Sequence, residues 1–354
     1  LRFYQLKNVV PTILQGNPYN VSSIPAAVSG SADKIHEWMH VARTLASDNT
    51  ITVSSVFPAA NLGADFDEQL MGSSPPESRT IYCDSTRSDS YVEDGARGTP
   101  YKTLTAAVAA KLTDNETTTY TFKLLPGTYS GAVSVDQTTA NQSFCIEGSG
   151  INETFVETSA ITSDVLYFRD FKTIEIRDLT IQQGKYGFYP RACEKVVVER
   201  CRFYKLGSTA VVANHDFSQT QAQQLSFWQG AASSDGGCCR IRDVTGGVIF
   251  RDNTIEYCLR GARLQDCTGA TSLVQGNKVF RTIEAGIYLA SSTYDGNAGC
   301  EDFLVSDNTV VECGNNGIMS IGGSRNVIQN NSVIKSANAG IQLHYVQETI
   351  VKGN

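Results

Sequence analysis

His36-Glu37-Trp38-Met39-His40 has the spacing that, on a helix, sets two imidazoles on one face with a glutamate as base between them. Zinc chemistry there needs a third ligand. The remaining histidines, His215 and His344, lie far along the chain, and Glu68 sits in a segment without helical context. The match therefore reads as the polar side of an amphipathic helix over Asp33 to Leu45, with Val41 and Leu45 on its apolar side. No metal and no other cofactor is expected.

A second set of residues suits sugar chemistry. His215-Asp216, Asp266 and Tyr294-Asp295 fall beside positions that share one sequence phase with Tyr189, Arg191, Asn214, Arg263, Gln265, Tyr288, Gln342 and His344. Two carboxylates flanking a glycosidic bond, one protonated and one ionised, would hydrolyse it. Asp216, Asp266 and Asp295 are the expected catalytic carboxylates. His215 is the expected base if the reaction is instead an elimination next to a uronate carboxylate, with Arg263 as an alternative. Arg191, Asn214, Arg263, Gln265, Tyr288, Tyr294 and His344 are the expected substrate-binding residues, rings lying on sugar faces and guanidinium groups holding any uronate or sialate carboxylate.

A repeat must position them. Asp252-Asn253-Thr254-Ile255, Gly276-Asn277-Lys278-Val279, Asp307-Asn308-Thr309-Val310 and Asn330-Asn331-Ser332-Val333 share one form, and Gly353-Asn354 begins another. The asparagines at 253, 277, 308, 331 and 354 are separated by 24, 31, 23 and 23 residues. In phase with them run Gly261-Ala262-Arg263-Leu264, Gly286-Ile287-Tyr288-Leu289, Gly317-Ile318-Met319-Ser320 and Gly340-Ile341-Gln342-Leu343. Weaker copies stand earlier, at Asp178-Leu179-Thr180-Ile181 and Arg200-Cys201-Arg202-Phe203, followed by Gly187-Phe188-Tyr189 and Ala210-Val211-Val212.

Short strands that alternate apolar and polar residues, repeated at this period, make a coil of two or three strands per turn. The asparagine is expected in the left-handed bend, hydrogen-bonding to its copies above and below, and the glycines are expected to allow the next bend. The fold class is thus all-β, a right-handed parallel β-helix. Coils stack about 4.8 Å apart, so carboxylates on neighbouring coils suit a retaining hydrolase and a one-coil gap suits an inverting one. The long interval marks an insertion near Ser291 to Gly299, and a larger one spans His215 to Gly237. An incomplete last coil would leave backbone groups unpaired, so the natural chain is expected to continue past Asn354.

Gly98-Thr99-Pro100 leads into an Ala-rich helix over Ala106 to Leu112, and Tyr120 to Tyr129 reads as a strand closing in the Pro126-Gly127 turn. This order resembles the opening of pectate-lyase-like β-helix proteins, in which a short helix caps the first coil. The resemblance covers about residues 80 to 354. It implies the fold; lyases, hydrolases, epimerases and non-enzymatic adhesins all share it.

Residues 1–75 carry no repeat, and Ser73-Ser74-Pro75-Pro76 reads as a linker into the β-helix of residues 76–354. A small N-terminal domain before a β-helix looks like the layout of phage tailspikes and virion fibres. That likeness implies a virion protein, outside the cell, that binds and cleaves or only binds a cell-surface polysaccharide. It further implies a homotrimer attached to other tail proteins through residues 1–75. A secreted polysaccharide lyase or glycoside hydrolase and a non-catalytic capsid decoration or adhesin are the alternatives.

A net charge of −7 argues against nucleic acid as the main partner. No apolar run approaches the roughly 18 residues of a membrane span. The ten cysteines form no CxxC pair and read as small apolar side chains inside the coils. Cys238-Cys239 is the expected exception, since strand neighbours point to opposite faces. Of the N-x-[ST] triplets at Asn20, Asn115, Asn141, Asn152 and Asn330, the last belongs to the coil pattern.

Overall fold

The computed structural model describes residues 78–112, 118–138, 141–207, 235–293 and 299–354. Within them every paired strand is parallel to its neighbour, and three sheets run the length of the stack. Sheet A has ten strands, from Ser78–Cys83 to Ile350–Lys352; sheet B has eight, from Gly127–Ser130 to Ser332–Ile334; sheet C has eight, from Val133–Asp136 to Ile341–His344. The chain passes A to B to C and returns one coil higher. One coil runs Val248–Arg251, Thr254–Glu256 and Ala262–Gln265. This is the parallel β-helix that the repeat predicts.

Alternation turns one apolar side chain in two toward the axis, where Ile174, Val196, Val248, Val274, Val305 and Ile328 are buried. The first coil is closed by the helix Leu104–Lys111, whose Leu104, Ala107 and Val108 are buried. Thr103 caps it by accepting from the Ala106 amide at 3.1 Å. In the first turn the Tyr129 hydroxyl donates to the Cys83 and Leu125 carbonyls at 2.7 and 3.0 Å.

The bends correct two expectations. The left-handed residue is the one before each asparagine: Asp252, Gly276, Asp307, Asn330 and Gly353 all have φ between 54° and 65°. The residue that turns the chain points outward, so the one that bonds along the stack is its inward neighbour. Asn277 donates Nδ2 to Asn308 Oδ1 at 2.9 Å and accepts Asn253 Nδ2 and N at 3.0 Å, and the pattern continues to Asn354. Gly261, Gly286, Gly317 and Gly340 show no left-handed φ. At the first three the position needs space: a Cβ on Gly286 would meet Val310 Cγ1 at 2.6 Å, and one on Gly261 would strike the Gly286 carbonyl.

The same column explains the adjacent cysteines. Cys239 is in register with Ala262, which puts Cys238 level with Gly261. At this corner two successive side chains both face the core, and Cys238 and Cys239 are each fully buried. Cys238-Cys239 is therefore no exception: all ten cysteines are free and buried. Burial pushes the Cys201 and Cys258 thiols up to about 12.

Candidate polysaccharide-binding face

The outward face of sheet C is set by register. Tyr167 pairs with Tyr189, Arg240 with Arg263, Arg263 with Tyr288, Tyr288 with Met319 and Met319 with Gln342. Each of these side chains is half-buried. In the next outward column Arg169 pairs with Arg191, Arg191 with Arg242 and Arg242 with Gln265. Tyr189 touches Tyr167 edge-on with centroids 5.4 Å apart, and Arg240 lies 5.4 Å over the Tyr189 ring. Arg263 lies 5.4 Å over Tyr288.

Sequence phase thus places Arg191, Arg263, Gln265 and Tyr288 together on this face. His344 is in register with Ile321 in the last coil, exposed, its ring tilted against Tyr345 with centroids 4.1 Å apart. Asp266 occupies a left-handed bend at the exit edge of sheet C, φ 53°. Its Oδ1 accepts the Ser292 amide at 2.9 Å, so the carboxylate joins one coil to the next. Asn214, His215, Asp216, Tyr294 and Asp295 lie outside the described residues, as do His36, His40 and Glu68.

Tyr167, Arg169, Arg240 and Arg242 are additions that the repeat did not reveal. Gly237–Arg242 fills the place in sheet C expected for Ala210-Val211-Val212, pairing with Tyr186–Arg191 below and Ala262–Gln265 above. The signal was present: Cys238-Cys239-Arg240-Ile241 follows the Gly-Ala-Arg-Leu form, with cysteine where glycine usually stands.

Two of the undescribed stretches, residues 208–234 and 294–298, adjoin strands of sheet C in the sequence. The first precedes the strand Gly237–Arg242, and the second follows the strand Ile287–Ala290.

Around Asp235 a charge cluster borders the face. The Tyr186 hydroxyl donates to Asp235 Oδ1 at 2.6 Å, and Lys185 and Arg260 reach Asp235 at 3.0 and 3.2 Å. Arg260 also holds Glu284 with both of its forked donors. Burial works against the charge on Asp235, but the Tyr186, Lys185 and Arg260 donors outweigh it and hold the carboxyl down at about 2. Burial raises the neighbouring Asp164 carboxyl above its usual range, against the Tyr186 amide that it accepts at 3.2 Å. Tyr186 lies 5.6 Å from the Tyr189 ring, which makes the cluster continuous with sheet C.

Sheet A presents a different surface. In its outward column Lys123, Glu147, Arg177, Glu199 and Arg251 follow one another in register with alternating sign. Glu147 pairs with Lys123 and Arg177 at 3.3 and 2.9 Å, and Glu199 with Arg251 at 2.6 Å. That face is neutralised by its own neighbours. Among the described residues no group of three or more His, Cys, Asp or Glu side chains is arranged to hold a metal ion, and no helix is long and apolar enough to cross a membrane.

Residues 139–354 match the protein family described as a right handed beta helix region. No curated protein matches the chain. Among solved structures, the crystal structure of the Dettilon tailspike protein is similar at a TM-score of 0.33 and 11% identity. The likeness covers 77% of this chain and 59% of that one, so the chain spans less than two thirds of that tailspike's length.

Proposed function

The chain belongs to the right-handed β-helix family, and we propose that this member binds a polysaccharide lengthwise along the outward face of sheet C. One observation carries the reading: Tyr167, Tyr189, Arg240, Arg263 and Tyr288 line up on successive coils, each half-buried. Half-exposed rings offer apolar surface for sugar rings, and guanidinium groups between them supply donors for sugar oxygens. A solenoid face that repeats every coil suits a polymer that repeats every sugar.

The setting we propose is a virion tailspike or tail fibre outside the cell. In it, residues 1–75 attach the subunit to other tail proteins and the coils pack as a homotrimer. The order of a non-repeating N-terminal segment followed by a β-helix supports this setting. Cleavage of the bound polymer is proposed for Asp216, Asp266, Asp295 and His215.

The test uses a panel of envelope polysaccharides. Tyr189→Ala and Tyr288→Ala are each expected to weaken binding at least tenfold, whereas Lys123→Ala on sheet A leaves it unchanged. Equal binding by all three variants would sink the sheet C reading. A monomer by light scattering would sink the fibre setting without touching it. Appearance of reducing ends, lost in Asp266→Asn, is the outcome expected of hydrolysis.

A further inference from the structure

Resting on the reading of sheet C as the polysaccharide face, we infer that the bound polymer is acidic and that Arg240 and Arg263 form a cradle for one of its sugar carboxylates. Arg240 and Arg263 are directly opposed on adjacent strands, and in the neighbouring column Arg169, Arg191 and Arg242 follow one another without an intervening acid. Like charges directly opposed destabilise a sheet. Sheet A avoids the conflict by alternating sign along a comparable column. On sheet C the conflict persists, in a chain whose net charge is −7.

Nearby acids form direct ion pairs with only one of the two columns, while Asp164 attracts Arg240 without pairing with it. Asp170 pairs with Arg169 at 3.3 Å, and Asp243 is shared between Arg191 and Arg242 at 3.4 and 3.2 Å. Arg240 bonds to a neutral partner, Gln265 Oε1, at 3.1 Å, and Arg263 rests over the Tyr288 ring. The Nε atoms of both Arg240 and Arg263 are buried and make no hydrogen bond. Arg242 Nε also lacks an aligned acceptor, although Asp243 Oδ2 lies 3.2 Å away. Desolvated charged donors without acceptors are costly. The two half-buried guanidinium groups stand side by side with like charge and no carboxylate bonded to either, and their outer nitrogens, not the buried Nε atoms, are what an anion would meet.

The surroundings select the anion. Tyr189 stands over one end of the Arg240–Arg263 pair and Tyr288 over the other. A sugar ring lying on either tyrosine carries its exocyclic carboxylate toward the pair. A planar carboxylate matches the guanidinium fork with two parallel hydrogen bonds, the geometry for which arginine is suited.

Two measurements test the inference. The first needs no sugar: removing one of two opposed charges relieves the sheet, so Arg263→Gln and Arg240→Gln are expected to melt at or above the wild-type temperature. A fall of several degrees in both would make the pair a structural element and overturn the inference. The second measures binding by calorimetry at low and high salt. Its probes are galacturonate, mannuronate, glucuronate and sialate oligosaccharides, their carboxyl-reduced forms, and a sulfated oligosaccharide. At least one acidic oligosaccharide is expected to bind tenfold or more tightly than its reduced form, more weakly at high salt, and tenfold more weakly to either Gln variant. Tighter binding of the sulfated sugar overturns the assignment to carboxylate. Binding of reduced sugars alone, lost in Tyr189→Ala, overturns the acidic polymer and leaves the sheet C reading standing. No binding by any probe overturns both.

Discussion

The coils before Gly207 and those after Asp235 share one backbone and fill it by different means. In the first group the axis is packed with rings: Phe144 meets Phe168 and Phe171 with centroids 4.7 and 5.0 Å apart, and Phe168 continues to Phe188 at 6.5 Å. At the A-to-B bend this group carries Leu179 and Cys201, both buried. In the second group that bend position is asparagine in coil after coil, and the described core holds two rings, Phe250, which stacks on Phe203 of the earlier group, and Phe303, among Val, Ile, Leu and Cys. An apolar bend leaves adjacent coils to cohere through side-chain shape. An amide bend joins them by hydrogen bonds that any identical coil can continue. Shape can vary from coil to coil, and the amide rung cannot.

The contrast can be broken hardest at the ladder. Asn277→Asp keeps the shape but loses the donations to Phe250 O and Asn308 Oδ1, both 2.9 Å, and sets a carboxylate against Asn308 Oδ1. Urea unfolding is expected to show a loss of about 4 kcal/mol, with hydrogen exchange accelerated first in coils beyond residue 235. A loss below about 1 kcal/mol would mean that the ladder does not hold those coils together. Phe144→Ala should cost about 3 to 4 kcal/mol and accelerate exchange in the earlier coils instead. Exchange rising equally in both groups under either variant would erase the distinction.

The seam between the groups is sensitive to acid. Asp235 links Lys185 and Tyr186 of the earlier group to Arg260 of the later one. Its folded value of about 2 lies below the ordinary 3.8. Its contribution is therefore present above pH 3.8 and lost as pH falls through about 2. Half-exposure limits that contribution to about 1 kcal/mol. Melting curves should show Asp235→Asn below wild type at neutral pH, with the gap closing toward pH 2. A gap independent of pH would refute the linkage. The smallest change carries the ladder into the earlier group. The Cys201 amide already donates to Asn253 Oδ1 at 2.9 Å, the bond that each later rung makes. Cys201→Asn is thus expected to shift stability by less than about 1 kcal/mol, whereas asparagine at the fully buried Val279 should be severely destabilising.

The same contrast explains what could be read from sequence. Identical side chains doing one job repeat visibly, so Asn253, Asn277, Asn308, Asn331 and Asn354 betrayed both fold and phase. That phase located Arg191, Arg263, Gln265 and Tyr288 on one face. Ring packing leaves no such trace, because Phe144, Phe168 and Phe188 fill space in ways set by their neighbours. Arg240 and Arg242 escaped notice because Cys238 stands in the glycine column, and Tyr167 and Arg169 because Val165-Leu166 precedes them without a glycine. The asparagine was also assigned the work of its neighbour: sequence shows that Asp252-Asn253 makes a bend, but only the inward and outward directions divide the labour.

From Asn253 to Asn331 each ladder amide accepts through its oxygen from the coil before and donates through its nitrogen to the amide of the coil after, as well as to a backbone carbonyl. Amides aligned in series polarise one another, so the ladder is electrically a wire with two unlike ends. Reversing a single rung would set oxygen against oxygen on one side and nitrogen against nitrogen on the other. The orientation is accordingly held collectively, and the stack has a built-in sense of up and down that no individual coil possesses.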